Sequence, residues 1–147
     1  MNLEELLAFA GRNPILSLAL GGLTIAILFT EIARLFRGYK SLKPADLTRL
    51  VNQQQNVLMV DMSAIADYEK GHIAGSRNLI PSQFDPSAKP LAAAKQSPVI
   101  LICRNGMTSS ANAKRLKKAG FEQIYCLDGG ITAWQQAGLP LVKGKKA

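Results

Sequence analysis

Cys103 closes the apolar run Val99-Ile100-Leu101-Ile102 and is followed by Arg104, Asn105, Gly106, Met107, Thr108 and Ser109. A β-branched, uncharged run predicts a buried strand, and the pattern from Ser109 to Ala119 predicts a helix. The thiol therefore sits at a strand-to-helix turn. Backbone N–H groups of such a turn and the unpaired amides of the following helix converge on one small volume that favours negative charge. Thiolate is the nucleophilic form of cysteine, so the chemistry on offer is nucleophilic attack by sulfur. Arg104 can hold an anionic reactant or leaving group through charge-assisted bonds, and Gly106 lets the backbone bend inward. Thr108 and Ser109 are placed to cap the helix or to donate hydroxyls to the site.

Other chemistries fit less well. A cysteine-dependent phosphatase needs an arginine six positions after its nucleophile, where this chain has Ser109. The second cysteine, Cys126, lies inside an apolar strand pattern and reads as packing. His72 is the only histidine, and two cysteines with one histidine show no zinc-type spacing, so no metal and no cofactor are expected. Two cysteines are also too few for a disulfide framework, and a reducing compartment would keep the thiol free.

The elements that must position Cys103 alternate along the chain. A short strand at Tyr39 to Leu42 leads to a helix opened by Pro44, with Leu47, Leu50 and Val51 on one side. Val57 to Val60 predicts a strand ended by Asp61, followed by a short helix that Ser63 caps and Gly71 stops. A strand near Asn78 to Ile80 ends at Pro81. After Val99 to Ile102 and the helix stopped by Gly120, Gln123 to Leu127 is a last strand, and Gly129-Gly130 turns into a helix over Ile131 to Ala137. Continuous apolar strands alternating with helices predict an α/β domain whose parallel sheet is covered on both faces.

Ile15 to Thr30 carries no charge. At ~1.5 Å per residue this stretch covers roughly 24 Å, and residues 14–36 extend it towards the ~30 Å of a bilayer core. A single transmembrane helix is expected. A cleavable signal would want a basic start and a small-residue exit, whereas Glu4 and Glu5 precede the stretch and Phe29-Thr30-Glu31-Ile32 closes it. A buried core helix is the other alternative, and the remainder of the chain makes a complete domain without it. Arg34, Arg37, Lys40 and Lys43 follow the span while Arg12 alone precedes it, which places the globular part in the cytoplasm. The expected organisation is a short segment 1–13, the span 14–36, a basic linker 37–43, a domain 44–142 and a basic tail 143–147.

The 147-residue chain carries +8 formal charge, and residues 41–147 hold 14 Lys and Arg against 7 Asp and Glu. That excess suits small anions, acidic partners or an anionic leaflet. Lys114, Arg115, Lys117 and Lys118 read as the solvated face of one helix. No aromatic residues interleave with them, so nucleic acid is not an expected partner.

Three stretches, in order, resemble the rhodanese-like family. The first is Asp61 with Tyr68-Glu69-Lys70-Gly71-His72-Ile73-Ala74-Gly75-Ser76-Arg77-Asn78-Leu79-Ile80-Pro81, similar to the family's Gly-His-Ile-x-Gly-(Ala/Ser)-x-Asn core. The second is Cys103 to Ser109, similar to its active-site loop. The third is Ala119-Gly120-Phe121 with Leu127-Asp128-Gly129-Gly130-Ile131 and Ala133-Trp134, similar to its closing segment. The resemblance implies a five-stranded parallel sheet and a sulfurtransferase. Cys103 would take sulfane sulfur from thiosulfate or a persulfide, hold it as a persulfide, and pass it to a thiol or other nucleophile. Arg104, Asn105, Gly106, Met107, Thr108 and Ser109 would form the binding loop, with Asp61 and His72 as structural supports.

One domain behind one N-terminal span is similar to small membrane-anchored rhodanese-like proteins of bacteria, which implies the inner membrane. Two positions depart from the family's pattern. Arg104 is the loop's only cation, which argues for a broader or protein-borne sulfur donor, and Ser63 stands where an arginine often follows the aspartate. The alternative function is a non-catalytic module that uses the same fold to dock protein partners near the membrane.

Overall fold

A computed structural model describes residues 2–145, so Met1 and the last two residues of the 143–147 tail lie outside it. The chain divides into two compact units between Arg37 and Gly38. The first unit holds helices α1 (Leu3–Arg12) and α2 (Pro14–Leu35), neither of which buries a residue. In α1, Glu4 and Glu5 lie in the first turn and Arg12 in the last, the signs that suit a helix dipole. Pro14 opens α2 as a first-turn proline. With 22 residues, α2 is long and apolar enough to cross a membrane.

The second unit is built on strands β1 (Lys40–Leu42), β2 (Leu58–Asp61), β3 (Arg77–Asn78), β4 (Val99–Ile102) and β5 (Ile124–Leu127). They form one sheet in the order β1-β5-β4-β2-β3, with every pairing parallel. The helices of this unit are α3 (Pro44–Gln53), α4 (Ile65–Lys70), α5 (Lys89–Ala92), α6 (Met107–Lys118) and α7 (Gly130–Gln136).

β4 lies in the middle of the sheet and all four of its residues are buried. Its side chains alternate between two cores. Val99, Leu101 and Cys103 face one cluster with Ala113 and Leu116 of α6, Phe84 and Leu91. Ile100 and Ile102 face the other with Leu47 of α3 and Trp134 of α7. Both faces are therefore covered, which is why the strands of this parallel sheet read as unbroken apolar runs. The thiol is delivered at the carboxyl end of the central strand, where open α/β sheets place their ligands.

Several local expectations move. Ser63 does not cap α4, whose N-cap is Ala64, one residue later; the Ser63 N–H instead bonds Asp61 Oδ1 at 2.8 Å. The third strand is Arg77–Asn78 instead of Asn78 to Ile80: the Leu79 N–H makes a last ladder bond to the Asp61 carbonyl of β2, and Pro81 then starts a 3-10 turn. Arg115 is exposed with Lys114, Lys117 and Lys118, as expected of a solvated face, and is also tethered. It donates to the Phe84 carbonyl at 3.0 Å and lies over the Phe84 ring, tying α6 to the segment beneath it.

Leu101 is fully buried in β4. Leu101→Ala is expected to cost about 2–5 kcal/mol of domain stability. Urea unfolding of the detergent-solubilised chain, followed by the fluorescence of its one tryptophan, Trp134, measures it.

Candidate active site

Cys103 follows the last residue of β4 and is only 2% exposed. The Gly106 N–H points back at its sulfur, with the nitrogen 2.9 Å from Sγ. Gly106 reaches this position in a left-handed conformation, φ +90, that a side chain would strain. It is the N-cap of α6, so the loop is shorter than the sequence suggests. Met107, Thr108 and Ser109 form the helix's first turn, and neither hydroxyl residue caps it. The missed signal was Asn105, whose Oδ1 accepts the Met107 N–H at 3.2 Å and starts the helix two residues early.

The loop residues differ in what they present. Arg104, Asn105 and Met107 are exposed, Gly106 and Thr108 half-buried, and Ser109 buried with an Oγ that finds no partner among the described residues. Ser110, outside the expected set, donates its hydroxyl to the Gly106 carbonyl at 3.1 Å.

The other side of the loop is held by the start of α7. Ile131 N–H donates to the Cys103 carbonyl at 2.9 Å, and Thr132 donates to the Arg104 carbonyl from both N–H at 3.2 Å and Oγ1 at 3.0 Å. Gly130 makes this approach possible. A Cβ there would collide with the Cys103 carbonyl oxygen and lie 2.7 Å from the Arg104 carbonyl.

Asp61 and His72 sit outside this constellation. Asp61 is fully buried at the end of β2, with Oδ1 on the Ser63 N–H and Oδ2 unpartnered. Burial pushes its carboxyl above the ordinary range, against the opposing pull of the Ser63 hydrogen bonds. His72 stacks on Tyr68 with ring centroids 3.8 Å apart, and its Nδ1 lies 2.8 Å from the Tyr68 carbonyl. Its backbone exchanges two hydrogen bonds with Val142, at 2.9 and 2.8 Å, fastening the chain's end to the turn after α4. Among the described residues His72 makes no hydrogen bond to Cys103, so the geometry offers no cysteine–histidine couple.

Cys126 is buried in β5, and burial pushes its thiol up to about 12 with Cys103 nearby adding to the shift. It stays a neutral thiol at physiological pH. Trp134 packs in the core and donates Nε1–H to the Pro140 carbonyl at 2.9 Å. No group of three or more potential metal ligands occurs among the described residues.

Sequence reasoning missed Asp67 of α4. Its Oδ2 lies 3.5 Å from Arg104 Nη1 and its Oδ1 lies 3.7 Å from Lys70 Nζ. Asp67 precedes the glycine-histidine stretch and showed no pattern of its own, because its partner is 37 positions away. Beside these charges opens a cavity of about 140 Å³ bordered by Arg104, Asp67, Lys70, Ser63, Thr132 and Gln135.

The Rhodanese-like domain family matches residues 43–137, and the chain belongs to it. The uncharacterized protein YibN of Escherichia coli (strain K12) is 40% identical over 144 residues, covering 97% of this chain and all of that one. Thiosulfate sulfurtransferase GlpE of Pseudoalteromonas translucida is 32% identical over 99 residues, covering 67% of this chain and 91% of GlpE. Among solved structures, a thiosulfate sulfurtransferase from Pseudomonas aeruginosa superposes with a TM-score of 0.67 at 22% identity, over 80% of this chain and 23% of that one. The last likeness bears on the fold alone.

Two outcomes follow from this geometry. Gly130→Ala is expected to cost at least about 1–3 kcal/mol and to displace the Cys103–Arg104 peptide, read by unfolding and by amide shifts in the loop. Because burial raises the Asp61 carboxyl, that group favours folding most where both states are protonated, and the contribution is lost as pH rises from the ordinary 3.8 through the folded value. Asp61→Asn removes that loss, so its urea midpoint should gain on the parent's as pH rises above the ordinary 3.8.

Proposed function

We propose that this chain is a membrane-tethered sulfurtransferase that carries sulfane sulfur on Cys103. The observation that carries the reading is the Gly106 N–H aimed at Sγ from 2.9 Å, in a loop whose remaining amides open a helix. Such donors stabilise negative sulfur whether it belongs to the thiolate or to the outer atom of a persulfide. Membership of the rhodanese-like family, and a relative described as a thiosulfate sulfurtransferase, support the same chemistry.

In the first half-reaction the Cys103 thiolate attacks the outer sulfur of thiosulfate or of a persulfide. A new S–S bond forms as the donor's own bond to that sulfur breaks, and the leaving group, sulfite or a thiolate, departs with the electron pair. Arg104 receives the anionic part of the donor through its guanidinium. In the second half-reaction a thiol or other nucleophile takes the outer sulfur and Cys103 returns to thiolate. Arg104 is the loop's only cation and Asp67 offsets part of its charge, an arrangement that favours donors other than a compact dianion.

The apolar α2 would be the anchor. The excess of Arg34, Arg37, Lys40 and Lys43 at and beyond its carboxyl end, against Arg12 before it, supports a catalytic unit on the cytoplasmic face of a bacterial inner membrane. Its substrates there are small anionic sulfur donors or protein persulfides, with protein partners near the membrane and no nucleic acid.

Treating the detergent-solubilised chain with thiosulfate should add the mass of one sulfur atom to the peptide containing Cys103. Cys103→Ser should lose the adduct and lower thiosulfate:cyanide turnover at least about a thousandfold. Turnover that survives the substitution would contradict the reading, and protein partners retained by Cys103→Ala with an unchanged cellular phenotype would favour a docking module.

A further inference from the structure

We infer that the end of the sheet where its strands begin is a docking surface for an anionic lipid leaflet, and that docking there turns the Cys103 loop away from the membrane. This rests on the tether reading and gives the tethered site an orientation.

Every pairing in the sheet is parallel, so all strands begin at one end and finish at the other. Cys103 follows the finish of β4. α6 starts in the Cys103 loop and runs back to the opposite end, which its 12 residues place ~18 Å away. Lysines from separate stretches of the chain gather at that amino end. Lys40 is the first residue of β1, and Lys117 and Lys118 close α6. Lys95 comes in ahead of β4, where its carbonyl accepts the Glu122 N–H at 3.2 Å just before β5.

All of these lysines are exposed, and none forms an ion pair among the described residues. Glu122, exposed as well, is the carboxylate beside them. The carboxyl end differs. The segments that follow the strands there carry Asp46, Asp67 and Asp128 as well as Lys43, Lys70 and Arg104, and Asp67 pairs with two of those cations. A negative surface is therefore drawn to the amino end.

Chain continuity supplies the nearness that such attraction needs. α2 ends at Leu35, and three peptide units lead from there to Gly38, a reach of at most ~11 Å. Lys117 covers Gly38: a Cβ on that glycine would lie 2.8 Å from Lys117 Cγ, and its φ of +74 strains any side chain. The stem of Lys117 is thereby held about one screening length, ~10 Å at 0.1 M salt, from the exit of the span, and β1 starts with Lys40 two residues on. Anionic headgroups attract lysines within that range, whereas a zwitterionic leaflet gives them no net charge to meet. A compact ammonium on a flexible stem also suits lipid phosphates, which present no fixed geometry. Position favours lipid over an acidic protein, which could approach any face of the domain.

The test places the full chain in nanodiscs of phosphatidylcholine alone, or of phosphatidylcholine with about one-third phosphatidylglycerol, and reads the acetylation rate of each lysine by mass spectrometry. Lys40, Lys95, Lys117 and Lys118 should react about threefold or more slowly in the anionic discs, while Lys43 and Lys70 at the carboxyl end keep their rates. In about 1 M salt, where the screening length falls to ~3 Å, the difference should vanish. Equal rates in the two discs, the outcome if these lysines serve an acidic protein, would overturn the surface, and so would slowing shared by Lys43 and Lys70. Lys117→Glu combined with Lys118→Glu should return Lys40 and Lys95 to their neutral-disc rates; protection that persists at both would refute a patch acting as one. A chain that stays outside both kinds of disc would instead overturn the tether, and the surface with it.

Discussion

The carbonyls of Cys103 and Arg104 are fixed by the first turn of α7, and the loop's chemistry depends on that grip. Ile131 and Thr132 supply three hydrogen bonds to two consecutive peptides, and Gly130 permits the approach by having no side chain. With those carbonyls turned towards α7, the opposite side of the turn is left to amide donors, among them the Gly106 N–H at the sulfur. Gly106 is required by its backbone: at φ +90 a side chain would be strained, while a Cβ would meet the Gly129 nitrogen and the Leu127 carbonyl only at ordinary contact distance.

Charge around the loop is sparse and partly offset. Arg104 shares Asp67 with Lys70, while the buried Asp61 keeps one oxygen without a partner. Ser63 meets Asp61 through its backbone N–H at 2.8 Å. The result is a loop whose anion-holding power comes more from backbone amides than from side-chain charge, suited to one negative sulfur better than to a compact dianion.

Much of this was legible in the chain. The apolar runs around Val60, Leu101 and Cys126 are strands buried on both faces, and their continuity was the signal for a parallel sheet. Leu47 and Trp134, at helical spacing, pack against Ile100 and Ile102 as the two-layer pattern requires. Local competition was harder to read. Asn105 captures the Met107 amide and moves the helix start into the loop, and α4 starts one residue later than Ser63 suggested, with Ala64 as its N-cap. Asp67 was invisible because its importance comes from a neighbour brought close only by the sheet's crossover. Arg115 is solvated as read, but its bond to the Phe84 carbonyl 31 positions away left no trace in the local sequence.

The central claim is that the loop amides, led by Gly106, hold negative sulfur on Cys103. A structure of the chain after loading with thiosulfate tests it most directly. The outer sulfur of a Cys103 persulfide should lie within hydrogen-bonding distance of two or more backbone N–H groups between Asn105 and Thr108. A persulfide whose outer sulfur turns away from those amides, or sulfur found on Cys126, would contradict the account.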